Sequence, residues 1–552
     1  MKKAKLQLSP RLVILLALLS AAVWLRLAGI TWGLPGTFNS DEPHIVNSAL
    51  AYAGSFPKPY DFKYPALWPT VLFVCYGLYF LAWSCFGLCH KVVEFVGLFG
   101  WNPGGFYLIG RLLAATLSML GVLALARFEY IWRGRKWPWA ALALAFAPVI
   151  VEAAHSCKPD CMMLFWACLA WIAGVDLQRE GSRRAHHLCG AFIGLAASTQ
   201  YTAAPLAFLL PAAHFFAAKK VKRSWLLEGI LASAAAFFVA SPYTLIDFPR
   251  FSAGMKDFAE LARATAFDPV KMRGLVALNY WKFAGPGSIA GLLAIIGLLR
   301  LSWKDWRLAA VFALPLSLQW LAVSRYPDGT WPRYLLAVFP GLALLSAEAF
   351  DAVEMRQRPL LTLLVAVLAF APGFLRASFA DAVMRLPDTR PAAAQWIKEN
   401  VADGSSILLD LPHASPMLAM TKEEAEELAA KTETAGSPRA RLYRGMAQTH
   451  PGGGYRLYRV RRGALEMYSL PSQVERSQAD YPLVDVRPGL DMARAMRIDY
   501  VVTSNWGADY ARVPEMRTFF DELYAQTKFV KDFVPVPGEV AGPVLRVFKL
   551  SR

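Results

Sequence analysis

The sequence predicts a polytopic α-helical membrane domain, residues 1–384, followed by a soluble α/β domain, residues 385–552. Three observations predict it. Apolar runs of roughly 15–20 residues recur between residues 12 and 374, the order of length that a hydrocarbon layer about 30 Å thick requires. Lys and Arg cluster in the short stretches between those runs, as orientation in a membrane demands. From Arg385 onward the long apolar runs stop and the composition becomes ordinary and charged. Across the 552 residues, 56% are hydrophobic and the mean hydropathy is +0.34, high for a soluble globule.

The net charge of +17 does not point to nucleic acid. Phosphate-backbone binding wants one basic patch or stripe, and here the cations are dispersed between apolar runs. The run at 12–30 follows Lys2, Lys3, Lys5 and Arg11. That resembles a signal peptide, but the many later runs predict an uncleaved first helix. All seven cysteines precede residue 190, which excludes a disulfide framework in the outer domain. Cys157 and Cys161 lack the C-x-x-C spacing of a zinc or redox site.

Basic loops set the expected topology. They are the N-terminus, 127–136, 179–184, 219–223, 300–307, and Arg356 with Arg358, all placed on the cytoplasmic side. The spans between them are 12–30, 106–125, 137–151, 161–175, 188–197, 203–218, 225–245, 286–299, 308–323, 334–347 and 360–374. The apolar run 66–89 does not fit this parity as a single crossing. Pro65, Pro69, Trp68, Tyr76, Tyr79 and Trp83 suit an interfacial helix instead. The expectation is about eleven spans in a bacterial inner membrane, with the N-terminus cytoplasmic and the C-terminal domain periplasmic or extracellular. Four segments then face outward: 31–105, the loop at 155–160, 246–285 and 324–331.

In the outer domain, Asp388-Thr389-Arg390-Pro391 introduces a helix near 392–400. Residues 407–409, 500–502 and 544–550 read as strands. The charged stretch 421–434 reads as a helix with a solvated acidic face, and His450-Pro451-Gly452-Gly453-Gly454-Tyr455 as a mobile loop.

Candidate chemistry concentrates on the outward segments. Phe38-Asn39-Ser40-Asp41-Glu42-Pro43-His44 places two adjacent carboxylates just past the first span. Ionisable groups near a membrane are functional hypotheses by default. The competing reading is an N-cap, with Ser40 or Asp41 opening a helix over 43–53. Glu152 to Asp160 brings His155, Lys158 and Asp160 within six residues. Its competing reading is an interfacial loop with an anchoring lysine. Arg325 to Tyr334 carries two arginines against the positive-inside bias, which an anionic ligand would explain, as would contact with lipid headgroups. Lys63, Gln200-Tyr201 and Tyr280-Trp281-Lys282 are further outward polar residues. There is no Walker A, H-E-x-x-H or G-x-S-x-G motif. Energy must therefore come from an ion gradient or from an already activated substrate.

These motifs, taken in order, resemble the C-type (GT-C) glycosyltransferases, in the branch of the protein O-mannosyltransferases and the lipid A aminoarabinose transferase. The resemblance is carried by Asp41-Glu42 after the first helix, Phe62-Lys63-Tyr64-Pro65-Ala66-Leu67, Gly110-Arg111-Leu112-Leu113 and the His155–Asp160 loop. Gly194-Leu195-Ala196 with Thr199-Gln200-Tyr201, and Arg333-Tyr334-Leu335-Leu336 with Pro340, complete it over about residues 12–380. The family usually has Lys where Gln200 stands.

The resemblance implies a polyprenyl-phosphate-linked sugar donor and an inverting transfer to a hydroxyl on a lipid, glycan or protein acceptor. Asp41 would be the general base, and Glu42 and Asp160 would orient the acceptor or polarise the base. Lys63, Lys158 and Arg333 would neutralise the leaving phosphate. His155, Gln200, Tyr201 and Tyr334 would contact substrate. The branch implies no metal and no other cofactor.

Two other classes remain open at this point. A transporter or flippase of lipid-linked sugars would place ionisable residues near span centres. A polymerase or ligase of surface polysaccharide would use a diphosphate-linked oligosaccharide. The charges at outer span ends favour catalysis.

Overall fold

The protein's architecture is given by a computed structural model describing residues 9–550, apart from 37, 60, 266–287, 324–331, 355–357, 411, 438, 461–481 and 506–513. The described helices are α1 (Pro10–Leu27), α2 (Glu42–Ser55), α3 (Leu67–Cys85), α4 (Val92–Trp101), α5 (Gly104–Arg133), α6 (Trp139–Ala145), α7 (Pro148–Ala154), α8 (Asp160–Glu180), α9 (Arg183–Thr199), α10 (Leu209–Phe215) and α11 (Arg223–Ala240). They continue with α12 (Tyr243–Ile246), α13 (Phe248–Thr265), α14 (Ser288–Lys304), α15 (Trp306–Val323), α16 (Phe339–Glu354), α17 (Pro359–Met384), α18 (Thr389–Asn400), α19 (Lys422–Thr434), α20 (Ala440–Gln448), α21 (Leu490–Ala495) and α22 (Pro514–Gln526). Two 3₁₀ helices, Tyr201–Phe208 and Pro332–Leu335, precede α10 and α16.

The chain forms two compact units. One takes Met1–Ile30, Ser55–Leu72 and Ile109–Ala382; the other takes Thr31–Gly54, Phe73–Leu108 and Val383–Arg552. The second unit is therefore not a contiguous C-terminal stretch, because it includes much of the chain between residues 31 and 108.

Each of the eleven apolar runs appears as helix in the described residues. Among the described residues, six helices are long and apolar enough to cross a membrane: α1, α3, α5, α8, α11 and α17. The other runs are shorter or interrupted, so helix length alone does not fix eleven crossings. The expected span 137–151 is split into α6 and α7 because Pro148 has no N–H with which to continue the ladder. Main-chain oxygens near this break are taken up by Arg26, buried in the last turn of α1. It donates to Ala145 O at 3.0 Å and Leu144 O at 3.4 Å, and also to Ser118 Oγ at 2.8 Å and Ala22 O at 2.9 Å. A freed carbonyl in hydrocarbon is costly, so the proline and the arginine belong to one solution. Elsewhere small residues allow close helix approach. A Cβ on Gly190 or Gly194 of α9 would run into the backbone of α11 at Gly229 and Ser233.

In the second unit the C-terminal residues form a six-stranded sheet of order β3-β2-β1-β4-β6-β5. The strands are β1 (Ser406–Leu409), β2 (Arg456–Val460), β3 (Leu483–Val484), β4 (Tyr500–Ser504), β5 (Lys528–Phe533) and β6 (Leu545–Lys549). β1 to β4 pair in parallel, and β6 runs antiparallel to both β4 and β5. Leu408, Val501 and Phe519 centre one apolar layer, and Ile397, Leu409 and Val547 the other, as expected of an α/β sheet covered on both faces. The helix of the first segment joins this unit. Gly97 of α4 packs where Gly445 of α20 and Thr449 just past its end leave no room for a side chain, and Trp101 Nε1 donates to Met446 O at 3.2 Å. The run 66–89 becomes α3. From Phe73 it belongs to the same unit, where Tyr76 and Tyr79 pack on Phe106 at 5.3 and 5.4 Å.

Two features of this unit differ from expectation. The 450–455 loop is tied down: His450 Nε2 lies 2.9 Å from Met420 O, and Gly454 N donates to Asp403 Oδ1 at 3.2 Å. The acidic helix α19 is not solvated throughout. Glu424 is buried, and both of its carboxylate oxygens accept from Leu457 N at 3.1 Å. Burial pushes its carboxyl from 4.5 up to about 7, against the opposing pull of the Leu457 amide and Arg456. With the folded value above the unfolded one, this group's stabilising share is complete below about 4.5 and is lost as pH rises through about 7. Glu424→Gln should thus stabilise the unit at about pH 8 by roughly 1–3 kcal/mol. Hydrogen exchange of the β2 amides in the full chain measures it. A variant less protected than wild type at that pH would show that burial is not the governing cause.

Candidate functional site

In the second unit, α2 begins at Glu42, one residue earlier than the sequence pattern suggests. The turn before it is closed by Asp41 N donating to Asn39 Oδ1 at 3.0 Å. Asp41 is half-buried and Glu42 fully buried. The turn is anchored by Phe38. Its ring meets Trp32 edge-on at 5.8 Å and fills the space beside Gly33, which sits at φ +71. The Arg390 guanidinium lies 3.2 Å from the Phe38 ring centroid. Arg390 is itself gripped by Asp388, with Nε–Oδ1 at 2.8 Å and Nη2–Oδ2 at 2.7 Å, and donates to His413 O at 2.6 Å. The residues that open the C-terminal segment thus pack against the turn that carries Asp41.

In the first unit, the loop after α7 enters α8 at Asp160. Asp160 is 2% exposed, and its Oδ1 has no hydrogen-bond partner among the described residues. His155 is also buried, but both of its ring nitrogens are engaged: Nδ1 lies 2.8 Å from Val151 O and Nε2 2.8 Å from Ala28 O. Asp381 Oδ1 of α17 is 3.6 Å from the same Nε2. His155 therefore clamps the loop to α1. Lys158 is half-buried in this loop.

Gln200 and Tyr201 stand at the junction of α9 with the first 3₁₀ helix, and Thr202 Oγ1 reaches Met163 Sδ one turn into α8 at 3.5 Å. Gln200 Oε1 and the Tyr201 hydroxyl, like Asp160 Oδ1, are buried with no hydrogen-bond partner among the described residues. Burial, with the Asp61 carboxylate adding to it, pushes the Tyr201 phenol up, so it remains a proton donor. Asp61 also accepts from Lys63 N at 2.9 Å, leaving the Lys63 side chain exposed. This loop is fixed through Phe62 on Phe251 at 5.6 Å, with Tyr201 on the same Phe251 at 6.3 Å.

Arg333 and Tyr334 lie in the second 3₁₀ helix, which packs against α7. The guanidinium is 5.7 Å from the Tyr334 ring centroid, and the Tyr334 carbonyl accepts from Gln319. This unit therefore holds the loop between α7 and α8, the end of α9 and the approach to α16, where Lys158, Asp160, Gln200, Tyr201 and Arg333 reside. Tyr280-Trp281-Lys282 and Arg325 lie outside the described residues. Among the described residues no group of three or more His, Cys, Asp or Glu is placed to hold a metal ion. Arg26, Asp61, Asp381 and Arg390 were not singled out by pattern. The available signal was a charge inside or at the end of an apolar run for Arg26 and Asp381.

Residues 95–246 match the family model described as dolichyl-phosphate-mannose-protein mannosyltransferase. The structure is similar to that of ArnT from Cupriavidus metallidurans bound to undecaprenyl phosphate, with TM-score 0.54, 14% identity and 97% of each chain covered. The apo state of that protein gives 0.55, with 14% identity and 98% of each chain covered. The chain has the GT-C fold. The oligosaccharyltransferase of Archaeoglobus fulgidus in its apo form is a more distant likeness, with TM-score 0.48, 11% identity, and 92% of this chain and 71% of that chain covered. No curated protein matches by sequence. Within the GT-C fold, the region matched by the family model contains Arg111, the His155–Asp160 loop and Gln200-Tyr201. Asp41, Lys63 and Arg333 lie outside it.

Proposed function

We propose that this chain is a membrane glycosyltransferase that moves a sugar from a polyprenyl-phosphate donor to a hydroxyl acceptor, with inversion. The observation that carries the reading is the set of buried polar atoms on Asp160, Gln200 and Tyr201 that have no hydrogen-bond partner among the described residues. Nearly all buried polar groups in proteins are paired, and exceptions call for a ligand, a water or a catalytic role. Here all three fall within the stretch that matches the mannosyltransferase model. A ligand rich in hydroxyls suits them. The fold shared with a protein crystallised on undecaprenyl phosphate supports a polyprenyl-phosphate donor.

In this mechanism Asp41 takes the acceptor proton as the acceptor oxygen attacks the anomeric carbon. The sugar–phosphate bond breaks on the opposite side, and its electron pair leaves with polyprenyl phosphate. Lys63, Lys158 and Arg333 neutralise that phosphate, Glu42 and Asp160 orient the acceptor or polarise the base, and Tyr334 lines the sugar. The reading uses no divalent metal. The test is to incubate purified protein with a panel of polyprenyl-phosphate sugars and follow free polyprenyl phosphate and the anomeric configuration of the product. Release from none of them, or retention of configuration, overturns it.

Lys158→Ala and Arg333→Ala should each raise KM for donor and lower kcat, because a phosphate-binding cation acts in the ground state as well as in the transition state. A change in kcat alone would remove them from the phosphate.

The proposed location is a bacterial inner membrane, with the C-terminal residues outside. Alkaline phosphatase fused after Asp388 or Asn102 should be active, and after Gly134 inactive. An active Gly134 fusion reverses the map.

A further inference from the structure

At the end of the first unit where α1 begins, the helices line an open cavity of about 1160 Å³. That exceeds the roughly 300–1,000 Å³ of ordinary small-molecule pockets. Its two ends differ in chemistry. One end is lined by Arg133, Arg135, Lys136, Arg300, Lys304 and Arg358, with Asp351 the carboxylate among the lining residues. Arg133 and Arg135 are held rigid from behind. Arg133 Nη2 meets Glu348 at 2.8 Å, and Arg135 reaches Glu348 and Asp351 at 2.8 Å each and Glu129 at 3.4 Å. Those three carboxylates balance two arginines. Lys304 and Arg358 form no ion pair among the described residues, and six lining cations against those three carboxylates leave this end positive.

The other end is apolar. Leu363, Val367, Phe370 and Phe374 of α17 line it. Their spacing of four, three and four places them on one helix face. From Leu363 to Phe374 that face is roughly 16 Å long at 1.5 Å per residue, about the depth of one leaflet's hydrocarbon. Ile14 and Leu18 of α1 line the cavity too, and Leu363 and Val367 are half or more exposed, so the slot is open along its side.

We propose that this cavity is a binding site for an anionic glycerophospholipid of the leaflet on the side of the N-terminus. The phosphate would sit among Lys136, Arg300, Lys304 and Arg358, and an acyl chain would run down the α17 face. A basic pocket between membrane helices on the cytoplasmic side is the arrangement that selects anionic headgroups, and Arg matches phosphate geometry. The leaflet assignment rests on the topology read from the basic loops; the lipid chemistry does not. The site stands at the end of the first unit where α1 starts, whereas Lys158 and Asp160 of the same unit lie in the loop that His155 ties to Ala28 at the other end of α1. The lipid would therefore be structural or regulatory, and no substrate.

The test is native mass spectrometry of the full chain with dioleoyl phosphatidylglycerol, dioleoyl phosphatidylcholine, undecaprenyl phosphate or inorganic phosphate added. Phosphatidylglycerol should bind at least about tenfold more tightly than phosphatidylcholine, a difference of about 1.4 kcal/mol. The double variant K304S/R358S should lose that preference. Val367→Trp, which fills the slot without changing charge, should weaken binding of phosphatidylglycerol. Equal binding of the two phospholipids by wild type overturns the proposal whatever the variants do. Preference unchanged in K304S/R358S, or phosphatidylglycerol binding unchanged in Val367→Trp, places the lipid elsewhere. Tighter binding of undecaprenyl phosphate at the same residues assigns the cavity to the carrier lipid, and binding of inorganic phosphate alone assigns it to a free anion; either rejects the phospholipid. The fusion experiment decides the leaflet, and the polyprenyl-phosphate panel decides the transferase reading, so the three failures are separable.

Discussion

Asp41→Asn should leave the protein folded and able to bind donor while sugar transfer falls by roughly 10²–10⁴-fold, the usual cost of losing a general base. The substitution is chosen for what it keeps. Asp41 precedes the first residue of α2, and its main-chain N–H closes a turn on Asn39, so an N-cap role is the natural structural alternative. Asn and Asp rank together as N-caps. A residue that only caps α2 would tolerate the change with a loss of a few tenths of a kcal/mol at most. A residue that must accept a proton would not, because the amide keeps the shape and the hydrogen-bond acceptor and lacks the basicity. Steady-state kinetics with saturating donor, alongside a donor-binding measurement, separates the two. Transfer at the wild-type rate would end the assignment of Asp41 as base. Glu42 provides an internal contrast: it is fully buried as the first residue of α2. Its substitution by Gln should therefore disturb stability as well as rate.

Much of this architecture is written locally. The apolar runs become helices because nothing inside most of them interrupts the ladder, and the strands at Ile407, Val501 and Val547 follow from short β-branched and leucine-rich runs between turns. What the local pattern misses is mostly non-local. Pro148 stood in plain view inside a run read as one helix. Its consequence was not visible there, because the arginine that bonds the main chain beside the break comes from α1. Glu424 was hidden by its neighbours. Four glutamates in a row of five suggest a solvated face, and only the proximity of the Leu457 amide turns one of them inward. The close approach of α4 to α20 depends on Gly97 and Gly445, glycines with no sequence relation to each other.

The candidate site divides in the same way. Residues adjacent in sequence, Asp41-Glu42 and Lys158-Pro159-Asp160, can be picked out as outward polar groups between apolar runs. Their environments cannot. His155, read as a substrate contact, has both ring nitrogens committed to main-chain oxygens. Asp160 and Tyr201 instead present buried atoms with no hydrogen-bond partner among the described residues. Burial also answers part of the transporter alternative. Arg26 is an ionisable group inside a helix, yet its hydrogen bonds run to Ser118 and to three main-chain carbonyls. A side chain fixed by four such bonds serves as a stitch between helices, and poorly as a relay.

Arg390 should matter to transfer although it touches no reacting atom in this reading. It is 2% exposed, and it spends its donors on Asp388 and the His413 carbonyl while its plane covers the Phe38 ring. Arg390→Ala would strip a buried carboxylate of its partner, which typically costs about 3–5 kcal/mol. Thermal unfolding of the full chain should show that loss in the second unit. A stability loss alone would say nothing of positioning, so Phe38 is the informative partner. Phe38→Leu keeps an apolar group in the Trp32–Gly33 cradle but gives up a contact of roughly 0.5–2 kcal/mol with the guanidinium. If that contact holds the Asp41 turn, Phe38→Leu lowers kcat with little effect on donor KM, at a temperature where the variant is fully folded. The double variant with Arg390→Lys, which keeps the charge but loses the two-pronged grip on Asp388, should then add little further loss in kcat. Two residues acting through one contact are not additive. Additive losses, or a Phe38→Leu variant with wild-type kcat, would confine Arg390 to stabilising the C-terminal fold and leave the turn at Asp41 to be held by other groups.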